Sequence, residues 1–213
     1  MSVRAVVFDL DGTLIDSLED LADASNAALE TMGLPAHPLE SYKIFVGDGI
    51  RTMMQRALPQ EALHRLDEAV EHMRREYDRN WKEKSRPYPG IPELLDKLTA
   101  RGLPLAVLSN KPDDFTRLVV RDLLGRWSWS VVLGEGEYPK KPDPAGALAL
   151  AARLGLDTAD MVLVGDTPMD VLCAKNSGMA CVGVTWGFRP RADLEAAGQR
   201  VFIDHPVELL QHI

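Results

Sequence analysis

Six short apolar runs recur along the chain: VRAVVFDL (3–10), LPLAVLS (103–109), WSVVLG (129–134), MVLVGD (161–166), ACVGVT (180–185) and RVFI (200–203). They lack the strict apolar–polar alternation of a strand with one wet face. Near-continuous apolar character predicts a parallel sheet covered on both faces. Helical stretches at 91–102, 113–125, 143–155 and 167–178 lie between the later runs, each closing on a glycine. Strand and helix thus alternate at the spacing of a doubly wound, Rossmann-like α/β domain.

The first two runs are separated by far more chain than one crossover helix needs. Residues 16–86 contain no convincing strand and read as an all-helical insert. The expected division is a core of residues 1–15 and 87–213 and a helical cap domain of residues 16–86. The insert opens at Ser17, where an acid three residues on (Asp20) fits a capping box. The stretch 61–84 is highly charged, but its signs are closely mixed, which predicts a solvated amphipathic face rather than a nucleic-acid patch. The return through SRPYPG (85–90) is a stiff turn. Asp16 and Ser17 are the expected first hinge.

The chain has 213 residues, 46% hydrophobic and 26% charged, with a formal net charge of -8. That acidic balance excludes nucleic acid and anionic membrane as bulk partners and leaves room for small anions at a local positive site. No apolar stretch is long enough for a membrane span or has the form of a signal peptide. Cys173 and Cys181 have neither metal-ligand nor redox spacing, which predicts reduced thiols in a cytoplasmic protein.

Ligands of an open parallel sheet bind beyond the carboxyl ends of its strands. The first run delivers Asp9 and Asp11 there. The second delivers Ser109 and Asn110, then Lys111. The fourth delivers Asp166 and Thr167, with Asp170 four residues after Asp166, and Lys140 and Lys141 precede a proline-marked helix start. Clustered acids repel one another, and a hard cation such as Mg²⁺ relieves that. Gly12 permits close backbone approach to a phosphoryl group. Alternate residues of a strand share a face, so Asp9 and Asp11 can address one reacting centre. Asp9, the deeper, suits a carboxylate nucleophile that would form an aspartyl-phosphate. Asp11 suits the general acid and base, and a neighbouring negative charge favours its protonated form.

FDLDGTL (8–14), SN (109–110), KP (141–142) and GDTPMD (165–170), in that order, resemble the four motifs of the haloacid dehalogenase superfamily. The resemblance implies Asp9 as nucleophile and Asp11 as acid/base. It places Ser109, Asn110 and Lys141 at the phosphoryl group, Lys141 being preferred to Lys140 because it directly precedes the proline. It implies Mg²⁺ on Asp9, the Asp11 carbonyl and Asp166. Thr13 and Asp170 are supporting residues, Asp170 for the metal or the lysine. An acid at position 11 disfavours the dehalogenase branch, whose halide leaving group needs no proton. DSLEDLADASNAALETMGLP, FVGDGIRTMMQRAL and SNKP resemble the phosphoglycolate phosphatase branch. Within the cap, Gly47 and Gly49 are expected in a loop closing over the substrate, with Lys43 and Arg51 as candidates to meet its anion.

The expected activity is Mg²⁺-dependent hydrolysis of a small phosphorylated metabolite, 2-phosphoglycolate first, by a monomer or homodimer. Alternatives are a phosphomutase, or a phosphatase for a sugar phosphate, a nucleotide or pyrophosphate. A phosphoacceptor signalling domain shares the same groups, but the helical insert and Asp11 speak against it.

Overall fold

The computed structural model describes residues 3–213; the first two residues of the expected core segment lie outside that range. All six apolar runs form strands of one parallel sheet. They are β1 (Ala5–Phe8), β4 (Leu105–Pro112), β5 (Trp129–Glu135), β6 (Met161–Gly165), β7 (Ala180–Val184) and β8 (Phe202–Ile203). Their order is β5-β4-β1-β6-β7-β8. β1 pairs in parallel with β4 on one side and β6 on the other, so the chain direction of winding reverses at β1. This is the switch point where a doubly wound sheet opens a crevice.

Both faces of β1 are dry. Val6 and Phe8 join one apolar cluster and Ala5 and Val7 the other, as the two-residue strand period requires. The second cluster is closed by α7 (Ala145–Leu154) and α8 (Pro168–Ser177), while α5 (Ile91–Ala100) and α6 (Asp113–Leu123) cover the first.

Between β1 and α5 the chain forms α1 (Leu18–Thr31), α2 (Leu39–Phe45), α3 (Ile50–Ala57) and α4 (Leu66–Asn80). α2 and the later short helix α9 (Arg191–Ala196) have no counterpart in the sequence reading. The charged stretch behaves as expected. Ala69, Met73 and Tyr77 form the buried stripe of α4, and pairs such as Arg75–Glu71 and Arg79–Glu76 lie on its wet side. The apolar interior of this helical layer is continuous with the first cluster of the sheet. No helix among the described residues is long and apolar enough to cross a membrane.

Two expectations need correction. The 16–86 stretch is not free of strand: β2 (Ile15–Asp16) and β3 (Arg86–Pro87) pair antiparallel where the chain enters and leaves the helical layer. Two residues per strand are too few for any periodic signal. The capping box at Ser17 also does not form, although α1 does begin at Leu18. Ser17 Oγ instead donates to Asp11 Oδ1 at 2.6 Å. The Asp20 carboxylate accepts from the Ser85 amide at 2.8 Å, from Ser85 Oγ at 2.7 Å and from the Lys84 amide at 3.0 Å. These donors, just before the returning strand, outcompete the end of the acid's own helix.

Candidate active site

The turn after β1 carries both acids into one pocket. Asp9, Asp11, Ser109, Asn110 and Lys111 form its polar floor; Leu21, Val46, Ile50 and Met53 form an apolar roof with Gly47 and Gly49. The cavity volume between floor and roof is ≈ 30 Å³, room for about two water-sized spheres.

Behind Asp9 lies a buried ionic cluster. Lys141 Nζ sits 2.9 Å from Asp9 Oδ1 and 2.6 Å from Asp170 Oδ1, and donates to the Leu108 carbonyl at 2.8 Å. An ammonium has three hydrogens, so Lys141 is fully engaged by Asp9, Asp170 and the Leu108 carbonyl. Asp170 thereby serves the lysine, and its other oxygen caps α8 through the Thr167 amide and hydroxyl. Asp166 is completely buried and accepts from Thr13 Oγ1 at 3.0 Å and from the Phe188 amide at 2.8 Å. Lys140 lies apart and donates to the Asp48 carbonyl at 3.0 Å, which supports the preference for Lys141.

Gly12 is required here by Asp166. At φ +84 it occupies the left-handed region, and a Cβ would lie 2.3 Å from Asp166 Oδ2. Its amide donates to the Ile15 carbonyl at 2.9 Å. The glycine thus makes room for a carboxylate. Gly187 crowds the same acid from the other side, 2.2 Å from an added Cβ to Asp166 Cβ. That residue escaped the sequence reading.

Asp9, Asp166 and Asp170 each offer an oxygen, all within 4.8 Å of one another. Three carboxylates share one lysine, so the cluster carries excess negative charge in a dry place. Burial pushes the Asp9 carboxyl up to about 7, with Lys141 opposing and Asp170 adding to the rise. Burial, then the charges of Asp9 and Asp170, hold Asp166 well above the ordinary carboxylate range. A hard divalent cation on oxygen ligands is the natural counter-charge, and Asp9 and Asp166 are the acids that Lys141 and the α8 cap leave most available. The donor set fits a divalent metal.

Asp11 departs from expectation. Both its oxygens accept from Lys111 Nζ, at 3.0 and 2.9 Å, so it stands in an ion pair rather than beside an uncompensated negative charge. Lys111 also donates to Tyr77 Oη at 2.8 Å. Burial alone would lower Lys111; the charge of Asp11 and the Tyr77 contact outweigh it and hold the ammonium above its ordinary value. Lys111 was legible as a site residue, since it alternates with Ser109 on β4 as Asp11 alternates with Asp9. Tyr77 gave no such signal.

The side chain of Asn110 is fully used in bracing. Its Nδ2 donates to the Gly47 and Lys141 carbonyls at 3.2 and 3.1 Å, and its Oδ1 accepts from the Lys141 amide at 2.8 Å. It holds the loop at Gly47 onto the floor. Ser109 Oγ faces the pocket and accepts from the Lys111 amide at 3.2 Å. Lys43 and Arg51 do not reach the pocket. Lys43 pairs with Glu40 at 2.9 Å and Arg51 with Asp67 at 2.5 Å, both in the open.

The family model for haloacid dehalogenase-like hydrolases matches residues 6–184, from β1 through β7. The chain belongs to the haloacid dehalogenase-like hydrolases. A phosphoglycolate phosphatase of Psychrobacter arcticus is 34% identical over 203 residues, covering 91% of this hydrolase and 88% of the relative. One from Neisseria meningitidis serogroup A is 38% identical over 193 residues, covering 87% and 82%. A solved structure of a candidate phosphoglycolate phosphatase from Lactobacillus delbrueckii subsp. bulgaricus superposes with a TM-score of 0.92 at 30% identity, covering 100% of this hydrolase and 99% of that chain. The hydrolase is a phosphatase acting on phosphoric monoesters, which sets aside the phosphoacceptor signalling alternative.

Proposed function

We propose that this hydrolase cleaves 2-phosphoglycolate, with Mg²⁺ as its metal and an aspartyl-phosphate on Asp9 as its intermediate. The observation that carries the reading is the pairing of Asp9 with Lys141 beneath the pocket floor, while Asp11 faces the same pocket two residues on. The names borne by the similar proteins support the substrate.

In this reading Lys141 orients the Asp9 carboxylate for attack on phosphorus, and the ester oxygen departs with a proton from Asp11. Asp11 then takes a proton from the water that cleaves the acyl phosphate. Ser109 holds a phosphoryl oxygen. Asp9, Asp166 and the Asp11 carbonyl would hold Mg²⁺, which, when bound, neutralises charge on the phosphoryl oxygens. Residues 16–86 act as a cap on a core of 1–15 and 87–213, and the β2–β3 pair is its hinge. Opening of the cap about that hinge would admit substrate beneath its apolar roof.

The test is a kinetic screen of phosphomonoesters with and without Mg²⁺, beside Asp9→Asn. We expect 2-phosphoglycolate to lead the panel and the variant to lose at least about 10⁴-fold in kcat while keeping its fold. Flat, weak rates across the panel would sink the substrate; an active Asp9→Asn would sink the intermediate.

A further inference from the structure

Among the described residues, Lys111 supplies the cationic side chain of the pocket lining. Its side chain is 2% exposed. Its three hydrogens are accounted for by the two oxygens of Asp11 and by Tyr77 Oη. Tyr77 belongs to α4 and Asp11 to the turn after β1, so the ammonium joins the helical layer to the proton-transfer acid.

That arrangement competes with chemistry. Asp11 must bring an oxygen within hydrogen-bond reach of the leaving oxygen. Here both its oxygens are on Lys111, and one also accepts from Ser17 Oγ at 2.6 Å. Moving Asp11 away with nothing in its place would strand a buried cation without a partner, which is strongly unfavourable. An anion arriving at Lys111 removes that obstacle and releases Asp11 in one exchange.

The geometry points to Lys111 as a specificity-determining residue that binds a carboxylate carried on the substrate's leaving group and thereby frees Asp11 for proton transfer. This rests on the phosphatase mechanism proposed above and names the substrate class: short phosphomonoesters with a carboxylate near the ester oxygen. The reach is right. One Asp11 oxygen can stay 2.9 Å from Nζ while the other, released by the incoming carboxylate, comes within about 3 Å of the leaving oxygen, so Nζ stays within about 8 Å of it. A carboxylate one or two carbons from the ester oxygen meets an ammonium at that range with a normal charge-assisted bond. The opposite wall, Leu21, Val46, Ile50 and Met53, offers no side-chain hydrogen bonds to the hydroxyls of a sugar. The charges at Lys43 and Arg51 are occupied elsewhere.

The experiment measures kcat/KM of the full-length protein with Mg²⁺ on 2-phosphoglycolate and on its carboxamide analogue, for the wild type, Lys111→Met and Lys111→Arg. We expect the wild type to prefer the carboxylate by at least about 100-fold, since a site built around a buried charge strongly rejects a neutral isostere. Lys111→Met should bring that preference below about tenfold, whatever the absolute rates, and Lys111→Arg should restore much of it. A preference left intact by Lys111→Met means a structural role only and overturns the assignment. Should that variant not fold, the wild-type ratio decides, and a value below tenfold overturns it. If a longer phosphocarboxylate outpaces 2-phosphoglycolate and its advantage over the matching amide depends on Lys111, the substrate falls while Lys111 stands. Absence of any phosphomonoester hydrolysis overturns both.

Discussion

Replacing Asp20 with alanine should loosen the junction where the chain enters and leaves the helical layer. Asp20 is 4% exposed, and its carboxylate receives the amide and hydroxyl of Ser85, itself 1% exposed, and the amide of Lys84. Truncation leaves both Ser85 donors buried without an acceptor, at about 1–3 kcal/mol each. Lys84 is exposed, so water can reach its amide and that loss is smaller, about 0.5–1 kcal/mol. The sum is about 2.5–7 kcal/mol, a large part of the about 5–15 kcal/mol that usually separates folded from unfolded chains. Urea unfolding followed by circular dichroism measures it, and amide exchange at 84–85 locates it. Part of the loss comes from a stranded hydroxyl, so Ser85→Ala added to Asp20→Ala should cost less than the sum of the single changes by about 1 kcal/mol or more. A single-mutant loss below about 1 kcal/mol, or strict additivity of the pair, would refute the reasoning.

Gly187→Ala places a methyl group 2.2 Å from Asp166 Cβ; it should raise the half-saturating Mg²⁺ concentration by about 10-fold or more, the scale of about 1–3 kcal/mol expected for overpacking, and an unchanged metal titration would count against Asp166 as a ligand. The Asp9 carboxyl, pushed up to about 7 by burial, binds its proton more tightly folded than unfolded. Its contribution in metal-free protein is therefore favourable at low pH and is lost as pH rises from about 4 to about 7. The gain in Tm on adding Mg²⁺ should grow across that interval, and a gain independent of pH would contradict the buried-acid account. Lys43→Ala and Arg51→Ala should each change kcat/KM by less than about twofold, because exposed pairs of this kind contribute little; a tenfold loss would bring either residue back to the substrate.

The strands and the acids at their ends were legible because their signals are local. A buried parallel strand announces itself in five or six residues, and Asp9 and Asp11 stand at the end of one. Lys141 was separable from Lys140 by the proline beside it. What escaped depends on distant partners. Asp20 finds Ser85 across 65 residues of chain, and Lys111 finds Tyr77 across 34. Ser17 and Asp20 satisfy the local rule for a capping box and then obey a longer-range one. At Gly12 the sequence shows that room is needed but not that Asp166 is the neighbour that needs it. Lys43 could have been judged better: Glu40 stands three residues before it, the spacing of an intrahelical ion pair.

The two-residue ladder of Ile15 with Pro87 and Asp16 with Arg86 gives the molecule the topology of a hairpin whose loop happens to be some seventy residues long. Its stems are fixed in register before the loop begins. The catalytic sheet is therefore indifferent to how much chain is strung between them. A helical layer of another size or lining could replace this one without moving Asp9 relative to Lys141, so evolution could revise what is recognised while leaving the reacting groups in place.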